Sequence, residues 1–136
     1  MVKNNKPKLT IGMCVYDDFH GTYFSIQSIR LYHPEVLKDI EFLVIDNNPN
    51  SKQGKELKKF FKESLPSGTY VPFDEYTGCG VRTKLFELAN APAVLCMDCH
   101  VLLVPGSLKR LIDYYDANPE TKDLLHGPLL LSLIHI

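Results

Sequence analysis

Apolar residues along this chain fall into short runs that alternate with stretches of helical periodicity. The runs predict strands over residues 9–16, 41–45, 69–73 and 93–100. Apolar side chains spaced three and four positions apart predict helices over residues 22–33, 55–62, 81–90 and 107–115. Repeated strand-helix units predict a three-layer α/β/α fold with a mainly parallel sheet.

Local signals refine this pattern. Thr22 and Ser107 are predicted N-caps, and Pro34 ends the first helix. Pro72 confines the third strand to an edge or an irregular position because its nitrogen cannot donate to a ladder. In such a sheet, ligands bind at the carboxyl ends of the strands.

Polar residues follow three of the four predicted strands. They are Tyr16-Asp17-Asp18, Asp46-Asn47-Asn48 and Asp98-Cys99-His100. Because parallel strands end at one edge of a sheet, these groups predict a ligand site there. The chain contains neither a P-loop nor a G-x-G-x-x-G motif.

Composition narrows the class of protein. The 136 residues suffice for one domain, and 45% hydrophobic with 23% charged residues is typical of a globular chain. A net charge of -1 argues against a nucleic-acid partner. With no signal peptide and no run of membrane-spanning length, we predict a cytoplasmic protein whose four cysteines are reduced thiols.

The fourth strand carries the most informative pair of residues. Positions two apart share a face of a strand, so Asp98 and His100 are expected to reach one ligand together. Carboxylate oxygen and imidazole nitrogen suit Mn²⁺ or Mg²⁺, with water and diphosphate oxygens filling the remaining positions. The alternative is that Asp98 caps a loop and His100 is a satisfied, partly buried histidine.

The same segment spells Cys96-x-x-Cys99-His100, the pattern of covalent haem attachment. An extended strand sends Cys96 and Cys99 to opposite faces, which argues against haem. A structural zinc site from these residues and Cys79 needs a tight knuckle that an uninterrupted apolar run does not offer.

Other residues at this edge have two interpretations each. Asp46 either hydrogen-bonds a base or ribose, or only bonds the following turn. Arg82 and Lys84 begin a helix, where cations oppose the macrodipole, so either an anionic partner or a solvated surface explains them. Tyr16 is either a core residue or a platform for a base.

Taken in order, these segments resemble the amino-terminal half of a family 2 glycosyltransferase of the GT-A fold. The resemblance runs through residues 9–18, 42–48, 80–85 and 95–100. The usual metal motif of that family is Asp-x-Asp, whereas Asp98-Cys99-His100 looks like the Asp-x-His version of polypeptide N-acetylgalactosaminyltransferases. Val81-Arg82-Thr83-Lys84-Leu85 is also similar to a helix start in those enzymes.

The resemblance implies a function and a set of site residues. It implies transfer of a hexosyl or N-acetylhexosaminyl group from a nucleotide-diphosphate sugar to a saccharide, lipid or protein hydroxyl, and it is compatible with peripheral membrane association of the full-length enzyme. The donor-binding residues that it implies are Tyr16, Asp17, Asp46, Arg82 and Asp98. The implied metal ligands are Asp98 and His100, with Mn²⁺ or Mg²⁺ as the ion.

Enzymes of this kind are generally longer, and their second half supplies the catalytic base. We therefore expect residues 1–130 to be an incomplete donor-binding domain without a catalytic residue, and residues 131–136 to be a non-native tail. One alternative is a sugar nucleotidyltransferase, although the glycine-rich basic loop of that class is lacking after the first strand. Another is a non-catalytic, receiver-like domain with an acidic pocket formed by Asp17, Asp18 and Asp46.

Overall fold

The computed structural model describes residues 6–127. The strands are Leu9–Val15 (β1), Ile40–Asp46 (β2), Thr69–Pro72 (β3) and Ala93–Met97 (β4). The α-helices are Phe19–Tyr32 (α1), Lys52–Ser64 (α2), Thr83–Leu88 (α3) and Ser107–Ala117 (α4), and short 3₁₀ helices cover Pro34–Val36 and Cys79–Arg82. Within residues 6–127, no helix is both long and apolar enough to cross a bilayer.

The four strands form one parallel sheet in the order β3-β2-β1-β4. Val15 pairs with Asp46, and Met13 pairs with Met97, so the carboxyl ends of β1, β2 and β4 lie side by side. Pro72 is the last residue of the edge strand β3, as its missing N–H donor predicts. The predicted α/β class and the parallel sheet are confirmed.

Helices cover both faces of this sheet, because alternate strand residues point to opposite sides. The larger core lies under α1, α2 and α4 and contains Ile11, Val44 and Met97 from the strands. The smaller core lies under α3 and contains Leu43 and Ile45.

Gly12 in β1 lets α3 come close to the sheet. A Cβ atom at this position would lie 3.1 Å from both δ-carbons of Leu85. That separation is shorter than an ordinary contact between carbon atoms. The missing side chain therefore sets the distance between α3 and β1.

Helix α1 begins earlier than the sequence predicts. Its N-cap is Asp18, whose Oδ1 accepts a hydrogen bond of 2.8 Å from Gly21 N–H. The predicted cap, Thr22, is buried inside the helix and donates its hydroxyl proton to the Asp18 carbonyl. The prediction for Thr22 was wrong because Asp18, three residues after the end of β1, already accepts from a first-turn N–H group of the helix.

Helices α3 and α4, which precede and follow β4 in the chain, also differ from the sequence pattern. The helix predicted over residues 81–90 is a 3₁₀ turn through Arg82 followed by the short α3. Ser107 is the first helical residue of α4, and the N-cap is Gly106 at φ 80°. Glycine suits that left-handed conformation because it lacks a Cβ.

Strand β4 ends at Met97, three residues before the end of the predicted strand. Beyond it, Ser25 of α1 takes over the bonding of the backbone. Its Oγ lies 3.0 Å from the carbonyl oxygens of both Cys99 and Val101 and accepts the Val101 N–H at 3.1 Å. Asp98 and His100 therefore lie in a turn and not on one face of a strand, which corrects the premise for pairing them.

The predicted tail at residues 131–136 lies outside the described residues. The expectation that residues 1–130 form an incomplete domain also stays a prediction.

Candidate functional site

Polar side chains gather at the carboxyl edge of the sheet, as the strand pattern predicts. The end of β4 carries an ion pair in which Arg82 Nη2 donates to Asp98 Oδ1 at 2.8 Å. Arg82 comes from the 3₁₀ turn before α3, and Asp98 directly follows β4. Both side chains are about half exposed, so this pair is open to an incoming ligand.

Beside this pair, Asp18, Cys99 and His100 form a second cluster. Asp18 Oδ2 lies 3.2 Å from Cys99 Sγ and 3.2 Å from His100 Nδ1, and the sulfur and nitrogen are 3.8 Å apart. Asp18 is half-buried, Cys99 is buried and His100 is exposed. His100 thus contacts Asp18 of the first loop in addition to belonging to the fourth-strand motif.

The environment shifts the pKa values in this cluster. Partial burial acts to raise the pKa of Asp18, but hydrogen bonds from Gly21 N–H, Cys99 and His100 outweigh it and hold the pKa below its usual value. Burial, reinforced by the hydrogen bond to Asp18 and its charge, raises the pKa of the Cys99 thiol to about 12. Without a bound ion, Cys99 is therefore a thiol that donates to an ionised Asp18.

The end of β2 is built differently. Asp46 is 1% exposed, with Oδ1 accepting from Asn48 N–H at 3.0 Å and Oδ2 accepting from Tyr70 O–H at 2.6 Å. Burial and the neighbouring Asp46 carboxylate raise the pKa of the Tyr70 hydroxyl, which keeps it protonated as a donor. Both oxygens of Asp46 thus stabilise the fold around the turn that follows.

The asparagines after Asp46 connect this turn to its neighbours. Asn47 Nδ2 donates to the carbonyl oxygens of Phe73 and Tyr76 at 2.9 and 2.8 Å. Asn48 Nδ2 donates to Asp17 Oδ2 at 3.0 Å on the exposed side. Asp17 itself has φ 52°, a conformation that aspartate tolerates better than most residues.

The structure brings some predicted residues together and separates others. Arg82 and Asp98 meet directly, and Tyr16 and Asp17 lie exposed at the end of β1. Asp46 is at the same edge but in the interior, so its assigned contact with a base remains a prediction. Lys84 bonds Glu87 at 2.8 Å, which is the solvated-surface alternative for that residue.

The three acids of the alternative acidic pocket bond different groups. Asp17 bonds Asn48, Asp18 caps α1, and Asp46 bonds Tyr70, so the three acids have three separate partners. Sequence reasoning did not foresee that Asp18 and Cys99 lie against His100. The signal for Asp18 was its place directly after a predicted strand, at the same edge as Cys99 and His100.

Two donor sets at this edge suit different metal ions. Asp98 and His100 offer an exposed carboxylate and an exposed imidazole, donor types that suit Mn²⁺, but their contacts here are with Arg82 and Asp18 respectively. Asp18, Cys99 and His100 offer oxygen, sulfur and nitrogen within 4.8 Å of one another. Sulfur is a poor ligand for Mn²⁺ and Mg²⁺, so the first set is the one that fits those ions.

Comparison with known proteins decides the family. The sequence model of the protein family "Glycosyl transferase family 2" matches residues 10–122 of this chain. These residues include every polar group at the carboxyl edge. The chain belongs to glycosyl transferase family 2. Its fold is accordingly a partial GT-A fold.

One curated relative is an uncharacterised glycosyltransferase of Methanocaldococcus jannaschii. It is 23% identical over 122 residues, which are 89% of this chain and 41% of the relative. The chain therefore spans less than half the length of this glycosyltransferase.

Solved structures share the fold at low identity. S. aureus TarS 1-349 aligns with a TM-score of 0.66 at 16% identity, covering 81% of this chain and 32% of TarS. The mannosyltransferase PcManGT of Pyrobaculum calidifontis, solved with GDP-Man and Mn²⁺, aligns with a TM-score of 0.65 at 17% identity, covering 82% and 33%. TarS 1-349 has also been solved with UDP-GlcNAc, and that structure aligns with a TM-score of 0.62 at 16% identity, covering 81% and 31%.

Proposed function

We propose that this chain binds the nucleotide-diphosphate sugar donor of a metal-dependent glycosyltransferase that transfers the sugar to an acceptor hydroxyl. The observation that carries the proposal is the pair formed by Arg82 and Asp98 at the carboxyl end of β4, 2.8 Å apart and open to solvent. The site needs a cation for the diphosphate and a carboxylate for the metal, and this pair supplies both. Membership of the family supports this interpretation.

Asp98 and His100 are the proposed ligands of the metal, which we take to be Mn²⁺ or Mg²⁺. The ion would neutralise charge on the diphosphate as the sugar departs. Within the chain, Arg82 neutralises Asp98 before the donor arrives and is placed to bind a diphosphate oxygen in its stead. Arginine suits this exchange because its planar fork binds carboxylate and phosphate alike.

We assign the residues at the end of β1 to the nucleoside. Tyr16 is 62% exposed there, which leaves its ring free to stack on a base. Asp17 lies beside it, with its carboxylate held by Asn48. Asp46 would contact a base only by giving up a bond to Asn48 N–H or Tyr70 O–H, so its contribution in this conformation is to position Asn47 and Asn48.

The class of sugar is proposed from the structural neighbours and not from individual residues of this chain. Structural neighbours have been solved with GDP-Man and with UDP-GlcNAc, which supports a hexosyl or N-acetylhexosaminyl donor as the class. We expect that the base that deprotonates the acceptor hydroxyl lies in a further segment of a full-length enzyme. A sugar nucleotidyltransferase is disfavoured because the family match covers the whole carboxyl edge.

Isothermal titration calorimetry tests the proposal. UDP, GDP and their sugar conjugates are titrated into the chain with Mn²⁺ and, separately, with a chelator. We expect binding that requires Mn²⁺ and that weakens at least tenfold in Asp98→Asn and in His100→Ala. Asp113→Asn is the matched control, since Asp113 is an equally exposed acid paired with Lys109 on α4. A folded chain that binds no nucleotide diphosphate in Mn²⁺ would contradict the proposal.

A further inference from the structure

The cluster of Asp18, Cys99 and His100 has the shape of a metal site of its own. Its three candidate ligand atoms form a triangle with sides of 3.2, 3.2 and 3.8 Å. A tetrahedral zinc ion, bound at about 2.3 Å to sulfur and about 2.0 Å to nitrogen or oxygen, separates its ligand atoms by roughly 3.3–3.6 Å. The three atoms therefore need to move by only a few tenths of an ångström to share one ion.

The groups that carry these ligands are already held in place. Asp18 uses Oδ1 to cap α1 through Gly21 N–H at 2.8 Å, which leaves Oδ2 directed at the other two residues. Ser25 Oγ bonds the backbone on either side of His100, at Cys99 O and Val101 N. Such supporting bonds orient metal ligands and reduce the entropy lost on binding.

The set of donor atoms indicates which ion would bind. Sulfur and imidazole nitrogen favour Zn²⁺ over Mn²⁺ and Mg²⁺, which prefer oxygen. We propose that Asp18, Cys99 and His100 form a zinc site with three protein ligands and a fourth position open to solvent, where His100 is exposed. Zn²⁺ replaces the thiol proton of Cys99, so one proton is released for each Zn–S bond that forms.

The site shares a ligand with the proposed donor site. His100 belongs to both sets and already contacts Asp18 in this conformation, so a His100 that binds Zn²⁺ with Asp18 and Cys99 is withheld from an ion at Asp98. One consequence, which rests on the proposed function, is that Zn²⁺ and the Mn²⁺-bound donor exclude each other. The zinc site itself needs no donor to form.

Cobalt is the probe, because Co²⁺ occupies zinc sites and shows a thiolate-to-cobalt charge-transfer band. Titration of the reduced chain with Co²⁺ in the absence of nucleotide is expected to saturate at one equivalent with this band, and Zn²⁺ should then abolish it. Cys99→Ser should lose the band. Cys96→Ser should keep it, since Cys96 packs against the opposite face of the sheet. A wild-type chain without the band, or a Cys99→Ser variant that retains it, would overturn the zinc site.

A second variant separates binding from folding. Asp18→Asn keeps an oxygen for the Gly21 cap but removes the anionic ligand, so we expect the helical circular dichroism to be unchanged and zinc affinity to fall at least tenfold. Zinc affinity is measured against a chelating dye, and unchanged affinity in this variant would exclude Asp18 as a ligand.

Nucleotide titrations distinguish the two proposals. If the cobalt band forms but the chain binds no nucleotide diphosphate, the zinc site stands and the proposed function fails. If Mn²⁺-dependent nucleotide binding persists with Zn²⁺ bound, the zinc site stands and the sharing of His100 is wrong.

Discussion

The ends of β2 and β4 each carry an aspartate, but the two carboxylates differ in burial and in hydrogen-bond partners. Asp46 is buried and fully engaged by Asn48 N–H and Tyr70 O–H. Asp98 is half exposed, and within residues 6–127 its bonding partner is the equally exposed Arg82. A buried carboxylate with internal partners serves the fold, whereas an exposed one that can exchange its partner is available to a ligand.

The largest expected effect is on the free energy of unfolding, which should distinguish Asp46 from Asp98. Asp46→Ala leaves Tyr70 O–H and Asn48 N–H without an acceptor, so we expect the free energy of unfolding to fall by about 2–4 kcal/mol. Asp98→Ala should change it by less than about 0.5 kcal/mol, because exposed ion pairs contribute little. Urea denaturation followed by circular dichroism measures both variants. Equal losses in the two would remove the contrast.

The second prediction concerns the packing around Asp46. A Cβ at Gly54 would lie 2.5 Å from the Asn48 carbonyl oxygen and 2.8 Å from Asp46 Oδ2. Gly54→Ala should therefore destabilise the chain by about 2 kcal/mol despite the better helix propensity of alanine. Gly80→Ala is the control, because its Cβ would meet the ring of Tyr76 at 3.4 Å, which is an ordinary contact distance. If Gly54→Ala leaves the midpoint of unfolding unchanged, the turn after β2 accommodates the added methyl group without loss of stability.

The third prediction sharpens the ligand side of the comparison. Arg82→Ala should weaken binding of a nucleotide diphosphate about tenfold, equivalent to about 1.4 kcal/mol, because a charged donor to the diphosphate is lost. Lys84→Ala should weaken it less than about twofold, since Lys84 is already paired with Glu87. Calorimetry in Mn²⁺ compares the two. Equal losses would indicate a general charge effect with no specific contact.

The smallest effect is a pH dependence away from the site. Partial burial acts to raise the pKa of Glu41, but hydrogen bonds from Thr10 and Asn90 outweigh it and hold the pKa below its usual value of 4.5. A lowered pKa in the folded state gives stability that is present above pH 4.5 and is lost as the pH falls through the lowered value. Glu41→Gln should therefore be less stable than wild type at pH 7 by under about 1 kcal/mol, with the gap narrowing in acid. Thermal unfolding at several pH values measures it, and a constant gap would contradict the assignment.

The strands and their common edge could be predicted from the sequence because helices cover both faces of the sheet, so that each central strand is a nearly continuous apolar run. Leu9, Ile11 and Met13 alternate with residues of the opposite face, and the acids follow where each run ends. Pro72 predicted an edge because a missing donor is a local property. The fold class follows from such local signals.

The end of β4 could not be predicted because a distant hydroxyl decides it. Val101 packs against the core while Leu102 is 73% exposed, so the apolar alternation continues beyond the strand. The backbone there bonds Ser25, 76 residues earlier in the chain, instead of a neighbouring strand. Periodicity reports which side chains are buried but not what their N–H groups bond. For the same reason, the contact of His100 with Asp18 could not be predicted from an Asp-x-His spacing.

The absence of a side chain at Gly12 has a consequence far from its own strand. Leu85 rests on this glycine, and α3 follows directly after Arg82, so we expect the spacing between β1 and α3 to influence how far the guanidinium extends toward Asp98. A larger residue at position 12 would lift this helix and lengthen the 2.8 Å contact without altering either partner. Residue 12 thus acts as a spacer, and the reach of a surface arginine is set from inside the sheet.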